Sequence, residues 1–332
     1  MRLPRLKKKR RSLLVDLRHR AEYAAFRLFA CLLSVLTVPQ TIRFAELIAG
    51  ILTARPLRRP ARYDVAAENL RAAFGDELTE PQINETIRGM WIHLIRMVVE
   101  IVQLPRKMTL TNCREVIVFR NRAPVLQALC SGRPVFILGG HFGNWEVSTA
   151  TFGMFGFPLG IVARKLDNPY LHRWFFESRQ QTGHVLYDKR GGTKEMIELL
   201  EAGGNLGLLC DQDAGPRGLY VDFFGRPAST FKSIALMALQ YRAILVVGYG
   251  IRLPDDPDAR WVRYEIGCEE VIDTLDFDHS RDSLNDITQR YSSALERAVR
   301  RAPEQYFWVH RRWKSQPGDT AKTRRARKRE AA

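Results

Sequence analysis

The sequence predicts an α/β fold, a central sheet flanked by helices. Three observations carry this. From Pro134 onward, short charge-free apolar runs alternate with longer segments whose apolar residues recur at helical spacing. The runs are rich in Val, Ile, Leu and Gly, as strands buried on both faces are. The 332 residues are 45% hydrophobic, enough to build a sizeable core and too few for a disordered chain or a multi-span membrane protein.

The first segment, residues 1–60, begins with seven basic residues among the first twelve and no acid. The run Leu28 to Ile42 then carries no charge and is interrupted by Pro39. At fifteen residues it is shorter than the roughly 20 that a spanning helix needs. Two readings follow: a membrane-embedded anchor, spanning or re-entrant, or a buried pair of amphipathic helices. A basic cluster followed by an apolar run favours contact with an anionic leaflet. Residues 61–316 read as the main domain. Helical patterns occupy about 64–74 and 82–103, and the second places Ile87, Met90, Trp91, Leu94, Ile95, Val98 and Ile101 on one stripe. Strands are expected at PVFIL (134–138), LGIVA (159–163), LGLLC (206–210) and AILVVGYGI (243–251). Helices lie between them at about 144–153, 168–182, 193–202 and 230–241, and a last one at 281–301 turns Leu284, Ile287, Tyr291, Leu295 and Ala298 inward. Residues 317–332 form a basic tail, expected to be disordered.

The net charge is +16, and eleven of those charges sit in residues 1–12 and 317–332. Such ends favour an anionic surface, whether lipid or nucleic acid. With no recognisable nucleic-acid-binding motif, specific nucleic-acid recognition is not expected. The five cysteines form no CxxC pair, which argues against a disulfide framework or a structural zinc site. Neither a nucleophile elbow, a glycine-rich phosphate loop, a dinucleotide fingerprint nor a zincin helix is present.

What remains is a histidine–acid pair. His-x4-Glu occurs twice, as His141…Glu146 in HFGNWE and His172…Glu177 in HRWFFE. The second lies within a helical pattern, where positions five apart diverge. The first follows a strand, and Gly139, Gly140 and Gly143 allow a sharp turn. Asn144 is placed to cap the next helix, with Glu146 in its first turn. A carboxylate on one imidazole nitrogen fixes the tautomer and leaves the other to accept a proton. Lacking an enzyme nucleophile, that proton is expected from a substrate hydroxyl, so His141 is read as general base and Glu146 as its orienter. Three further clusters follow. Arg164, in ARKLDNPYL, is placed to meet a phosphate or an oxyanion. Asp211, Asp213 and Arg217, in CDQDAGPRG, form either a polar wall of the site or, less simply, a metal ligand pair. Asn144 is also expected to contact the substrate. APEQYFWVHRRWK (302–314) interleaves aromatic and basic residues.

In this order, AENLRAAFGD (67–76), HFGNWE, RKLDNP, DQDAGPRG, FFGRPAST and APEQYFWVHRRWK resemble the bacterial lipid A biosynthesis acyltransferases. The resemblance implies a mixed central sheet of the glycerol-3-phosphate acyltransferase type. It implies that His141 and Glu146 are the catalytic pair, that Arg164 lines the substrate site, and that an aspartate of that site falls on Asp211 or Asp213. The implied reaction moves a fatty acyl chain from acyl carrier protein or acyl-CoA to a hydroxyl of a membrane glycolipid, without cofactor or metal. It would take place at the cytoplasmic face of the inner membrane. HFGNWE is also similar to the motif of acyltransferases acting on phosphatidylinositol mannosides, so the acceptor stays open between these classes. A metal-dependent glycosyltransferase using Asp211 and Asp213 is the remaining enzymatic alternative.

Overall fold

The computed structural model describes residues 13–188 and 192–319. The basic start at 1–12 and most of the expected C-terminal tail lie outside them. At the N-terminus, α1 (Leu13–Ser34) and α2 (Val38–Thr53) form a helix pair. The break between them is local chemistry. Thr37 accepts a hydrogen bond from the Gln40 backbone, Gln40 Oε1 accepts the Thr37 N–H at 2.9 Å, and Pro39 starts the new helix where its missing N–H costs nothing. The uncharged run at 28–42 is therefore split between two helices, and these are not buried throughout: Leu14, Leu28 and Leu47 are exposed. No helix of the described residues is long and apolar enough to cross a membrane.

Then come α3 (Tyr63–Phe74) and the long α4 (Glu80–Lys107), whose buried stripe includes Ile83, Ile87, Met90 and Met97. The alternating part follows as α5 (Cys113–Val116), β1 (Ile117–Arg120), α6 (Arg122–Leu129), β2 (Val135–Gly139), α7 (Trp145–Met154), β3 (Leu159–Ala163), α8 (Pro169–Gln180) and β4 (Val185–Asp188). It continues with α9 (Thr193–Glu201), β5 (Asn205–Leu209), the hairpin β6 (Leu219–Phe223) and β7 (Arg226–Thr230), and α10 (Lys232–Gln240). It ends with β8 (Ile244–Arg252), β9 (Tyr264–Asp273) and α11 (Arg281–Arg301).

Seven strands form one sheet in the order β1-β9-β8-β2-β5-β3-β4. Every pairing in it is parallel except β8 with β9, so the sheet is mixed. All four expected strands are present. β1, β4, β6, β7 and β9 were not anticipated. β9 hides because three glutamates interrupt its apolar pattern. Glu265, Glu269 and Glu270 are paired with Arg301, Arg297 and Arg290 along α11 and at its end.

The two faces of the sheet differ, and the strand period of two sets the difference. Phe136, Leu138, Leu206, Leu245 and Val247 point into the main core with α3, α4, α10 and α11. The opposite face shows Ile137, Gly139, Gly207, Val246 and Gly248 towards α6 and α7. Glycines at neighbouring positions on β5, β2 and β8 lower the floor there and leave a long cavity rather than a packed layer.

Candidate functional site

The strand register sets the central pair. Gly139 on β2 faces Leu209 on β5, and the Cys210 N–H donates to the Gly139 carbonyl at 2.9 Å. His141 and Asp211 each lie two residues beyond that paired position, at the carboxyl ends of adjacent parallel strands. Crevices at such ends, where the chain runs off to either side of the sheet, are where open α/β sheets bind ligands. The geometry follows. His141 Nδ1 lies 2.8 Å from Asp211 Oδ1, and the His141 backbone N–H donates to Asp211 Oδ2, also at 2.8 Å. One carboxylate thus holds both the ring and the backbone of the histidine.

An ionised carboxylate only accepts, so Nδ1 carries the proton and Nε2 keeps its lone pair. Burial disfavours the imidazolium, but the hydrogen bond and charge of Asp211 outweigh it, and the His141 pKa ends above its ordinary value. Burial also raises Asp211, and there the hydrogen bond and charge of His141 prevail, aided by the charge of Arg312, leaving it below the usual carboxylate range. Arg312 is itself buried and fixed, donating to the Ser229 carbonyl at 2.6 Å and to Thr230 Oγ1 at 2.7 Å.

The carboxylate expected at Nδ1 is therefore a different one. Glu146 lies in the first turn of α7 and is bound by Arg179 of α8, whose Nη2 and Nε donate to its two oxygens, the latter at 3.1 Å. The physical reason is register: β5 delivers Asp211 beside His141, while α7 turns Glu146 towards α8. The second motif separates as expected. His172 lies against Phe176, and Glu177 is paired with Arg173.

Asn144, expected both as a helix cap and as a substrate contact, is fully buried, with Oδ1 capping Val147 N at 3.2 Å and Nδ2 bonded to Glu100 Oε2 at 3.0 Å. Asp213 accepts from the Ser315 N–H at 3.2 Å and its hydroxyl at 3.1 Å, and its own N–H meets His310 Nε2 at 3.1 Å. The two aspartates thus turn to separate partners. No group of three or more His, Cys, Asp or Glu among the described residues is placed to hold a metal ion. Arg164 and Arg217 are exposed, Arg164 at the end of β3 and Arg217 on the turn before β6. Arg164 shares a small cleft with His172 and Arg179.

A cavity of about 790 Å³ has His141 in its wall. His141, Gln212, Glu146 and Arg179 line it on one side and Arg120 and Arg122 on another, with Phe152, Phe155, Leu126 and Val125 among the apolar residues of the wall. The Gln212 amide nitrogen lies 3.4 Å from His141 Nε2, so that nitrogen faces a cavity wall residue. Rings of Trp145 and Phe307 flank the imidazole, with centroids 5.2 and 6.0 Å away. The cavity runs beneath β9, β8, β2, β5 and β3. At about 4.8 Å between strands, that path is on the order of 20 Å. Sequence reading identified Asp211 as a site residue but not as the partner of His141. Only the pairing of β2 with β5 supplies that signal, and sequence periodicity does not report which strands are neighbours.

Lipid A biosynthesis lauroyltransferase of Escherichia coli (strain K12) is 28% identical over 190 residues, covering 56% of this chain and 58% of that protein. Lipid A biosynthesis palmitoleoyltransferase of the same organism is 25% identical over 194 residues, 58% of this chain and 59% of that protein. The chain thus spans a little over half the length of these relatives. A phosphatidylinositol mannoside acyltransferase of Mycolicibacterium smegmatis (strain ATCC 700084 / mc(2)155) is 28% identical over 122 residues, 36% of this chain and 40% of that protein. Among solved structures, the 1-acyl-sn-glycerophosphate acyltransferase of Thermotoga maritima aligns over 84% of this chain and 97% of its own, at 14% identity and a TM-score of 0.38. The profile of the bacterial lipid A biosynthesis acyltransferases matches residues 11–315, nearly the whole length, and the chain belongs to that family.

Proposed function

We propose that this chain transfers a fatty acyl group from a thioester donor, acyl carrier protein or acyl-CoA, to a hydroxyl of a lipid A-type membrane glycolipid. The observation that carries the reading is His141, with Nδ1 committed to Asp211, in the wall of a long and mostly apolar cavity. The donor's hydrocarbon chain occupies that cavity and sets its carbonyl beside the imidazole. Nε2 takes the proton of the acceptor hydroxyl as its oxygen bonds to the thioester carbon. The tetrahedral intermediate collapses with cleavage of the C–S bond, and the imidazolium returns the proton to the departing thiolate. Asp211 stays ionised throughout and stabilises the transient imidazolium. No covalent acyl-enzyme is required.

Around this centre, the exposed guanidinium groups of Arg164 and Arg217 suit phosphates of acceptor or donor. Glu146 holds Arg179 at the cavity wall. The outer faces of α1 and α2 expose Leu14, Leu28, Val35 and Leu47, beside Arg18, Arg20 and Arg43. That pattern supports a helix pair lying on an anionic leaflet without crossing it. We assign it to the cytoplasmic face of the inner membrane, where thioester donors are made. A basic surface also suits acyl carrier protein, which is acidic. The match to a phosphatidylinositol mannoside acyltransferase favours, as a second reading, the same reaction on another glycolipid acceptor.

The test is acyl transfer by purified protein to a lipid A precursor and to a phosphatidylinositol mannoside. Wild type is expected to acylate the first, and His141→Ala to lose turnover while keeping its fold. Transfer by His141→Ala at the wild-type rate would overturn the mechanism. Activity on the mannoside alone would establish the second reading.

A further inference from the structure

The turn that presents His141 is held from behind by a sealed polar cluster. His93 and Glu100 lie seven residues apart on α4, on one face of that helix, and both are buried. Arg252, at the end of β8, lies between them. Its Nε and Nη2 donate to Glu100 Oε1 and Oε2 at 2.7 and 2.8 Å, and its Nη1 meets His93 Nδ1 at 2.9 Å. His93 Nε2 lies 3.1 Å from the carbonyl oxygen of Gly143. Glu100 Oε2 accepts a second bond from Tyr264 at 2.6 Å and a third from Asn144 Nδ2 at 3.0 Å.

The chemistry fixes the tautomer of His93. A guanidinium has no lone pair to offer, so the nitrogen facing Arg252 must be the unprotonated one. Nε2 then carries the hydrogen and donates it to Gly143. Burial and then the charge of Arg252 depress the His93 pKa well below its ordinary value, which agrees with a permanently neutral ring. A neutral buried imidazole of this kind cannot serve the reaction as a proton carrier at neutral pH. It ties two things together: a backbone carbonyl and a charge-fixed arginine.

The point it grips has little freedom. Gly143 has a φ of +58°, and a Cβ there would meet the Gly250 carbonyl oxygen at 2.0 Å. Its N–H donates to the Gln305 carbonyl at 2.9 Å, while the His141 carbonyl accepts from the Phe307 N–H at 3.0 Å. The Gln305 side chain in turn bonds both the N–H and the carbonyl of Arg252, each at 2.9 Å. The turn from His141 to Asn144 is thus clamped between α4, β8 and the segment after α11. A buried ion pair such as Glu100–Arg252 adds little net stability over apolar packing, because desolvating two charges offsets their attraction. What it supplies is a fixed location for the His93 ring.

We infer that His93, anchored by Arg252 and Glu100, is a positioning residue for the general base, holding the Gly143 carbonyl so that His141 meets Asp211 and the acceptor hydroxyl in register. This rests on the reading of His141 as the base. Misplacing a reacting group by about 1 Å costs about 100-fold in rate, so even a partial shift of the turn is read in kcat.

The experiment compares His93→Phe, which fills the space without donating, with His93→Gln, whose amide can reach Gly143. In acyl transfer by the full-length protein, His93→Phe should lose about 10- to 100-fold in kcat with KM for the acyl donor within about twofold. His93→Gln should recover to within about threefold of wild type. The His141 Nδ1 proton resonance should move upfield in His93→Phe and return in His93→Gln. If His93→Phe does not fold, His93→Asn takes its place: it keeps an acceptor for Arg252 but stops short of the carbonyl. Loss of thermal stability with unchanged kcat per folded molecule, or equal losses in the Phe and Gln variants, would overturn the positioning role. His141→Ala, run in parallel, separates the two readings. If it is active, the base assignment fails; if it is inactive while the His93 variants match wild type, only the positioning role fails.

Discussion

Two histidines stand on either side of one turn and meet opposite surroundings. His141 faces the cavity, and Asp211 lifts its pKa by favouring the imidazolium. His93 lies behind the turn, sealed from solvent, and burial with Arg252 holds it neutral. The same ring is therefore favoured in its charged form where its partner is a carboxylate and held neutral where its partner is a guanidinium. Neither fate is written in the local sequence. Each depends on which element the fold delivers alongside.

The largest effect should come from the cavity side. His141→Ala is expected to lower kcat by about 10³-fold or more, the usual range for removing a general base with its orienting hydrogen bond. Circular dichroism and the thermal midpoint should stay near wild type, because the ring lies at a cavity wall. Asp211→Asn comes next, at about 10²- to 10³-fold in kcat. Its sign in pH is a sharper test. The base acts neutral, so kcat/KM for wild type should rise with pH through a midpoint above about 6.5. Removing the carboxylate removes the hydrogen bond and charge that raise the His141 pKa, so the rising limb must shift to lower pH as the plateau falls. A limb that stayed put would mean that Asp211 does not set the basicity of His141.

The fold was far more legible in the sequence than the site was. Buried strands such as those over 135–139 and 244–252 announce themselves by charge-free runs, because both their faces are covered. β9 did not, because Glu265, Glu269 and Glu270 break its pattern and find arginines on or at the end of α11 that lie far away in sequence. His141 was legible from its setting between a strand and a glycine turn. Its partner was not, since the choice between Glu146, five residues away, and Asp211, seventy away, is decided by the β2–β5 pairing. His93, Glu100 and Arg252 carried no signal either. On the sequence they are polar interruptions of an apolar stripe and of a strand end, and only packing α4 against β8 brings them together.

The cavity supplies a smaller effect of a different kind. At Gly139 a Cβ would meet only the Gly248 carbonyl oxygen at 3.6 Å and Leu209 Cδ2 at 3.8 Å, so an alanine can be accommodated. It would narrow the floor beside His141. Gly139→Ala should shift the ratio of rates on long against short acyl donors by about tenfold towards the short ones. An unchanged ratio would remove this cavity as the acyl site, whatever the absolute rates.

Glu146 is expected to give the smallest effect, and for that reason it discriminates most directly between the two carboxylates. Its oxygens are held by Arg179 of α8, and the ion pair sits at the cavity wall without touching Nδ1 of His141. Glu146→Gln keeps an acceptor for Arg179 and removes the charge. The partly exposed pair is worth little in stability, and the base keeps Asp211, so kcat should fall by less than about tenfold. The rising limb of the pH profile should stay where wild type has it. A loss as deep as that of Asp211→Asn, with the same downward shift of the limb, would instead make Glu146 the group that orients the base. In that event the pairing of His141 with Asp211 would have to rearrange when substrate fills the cavity.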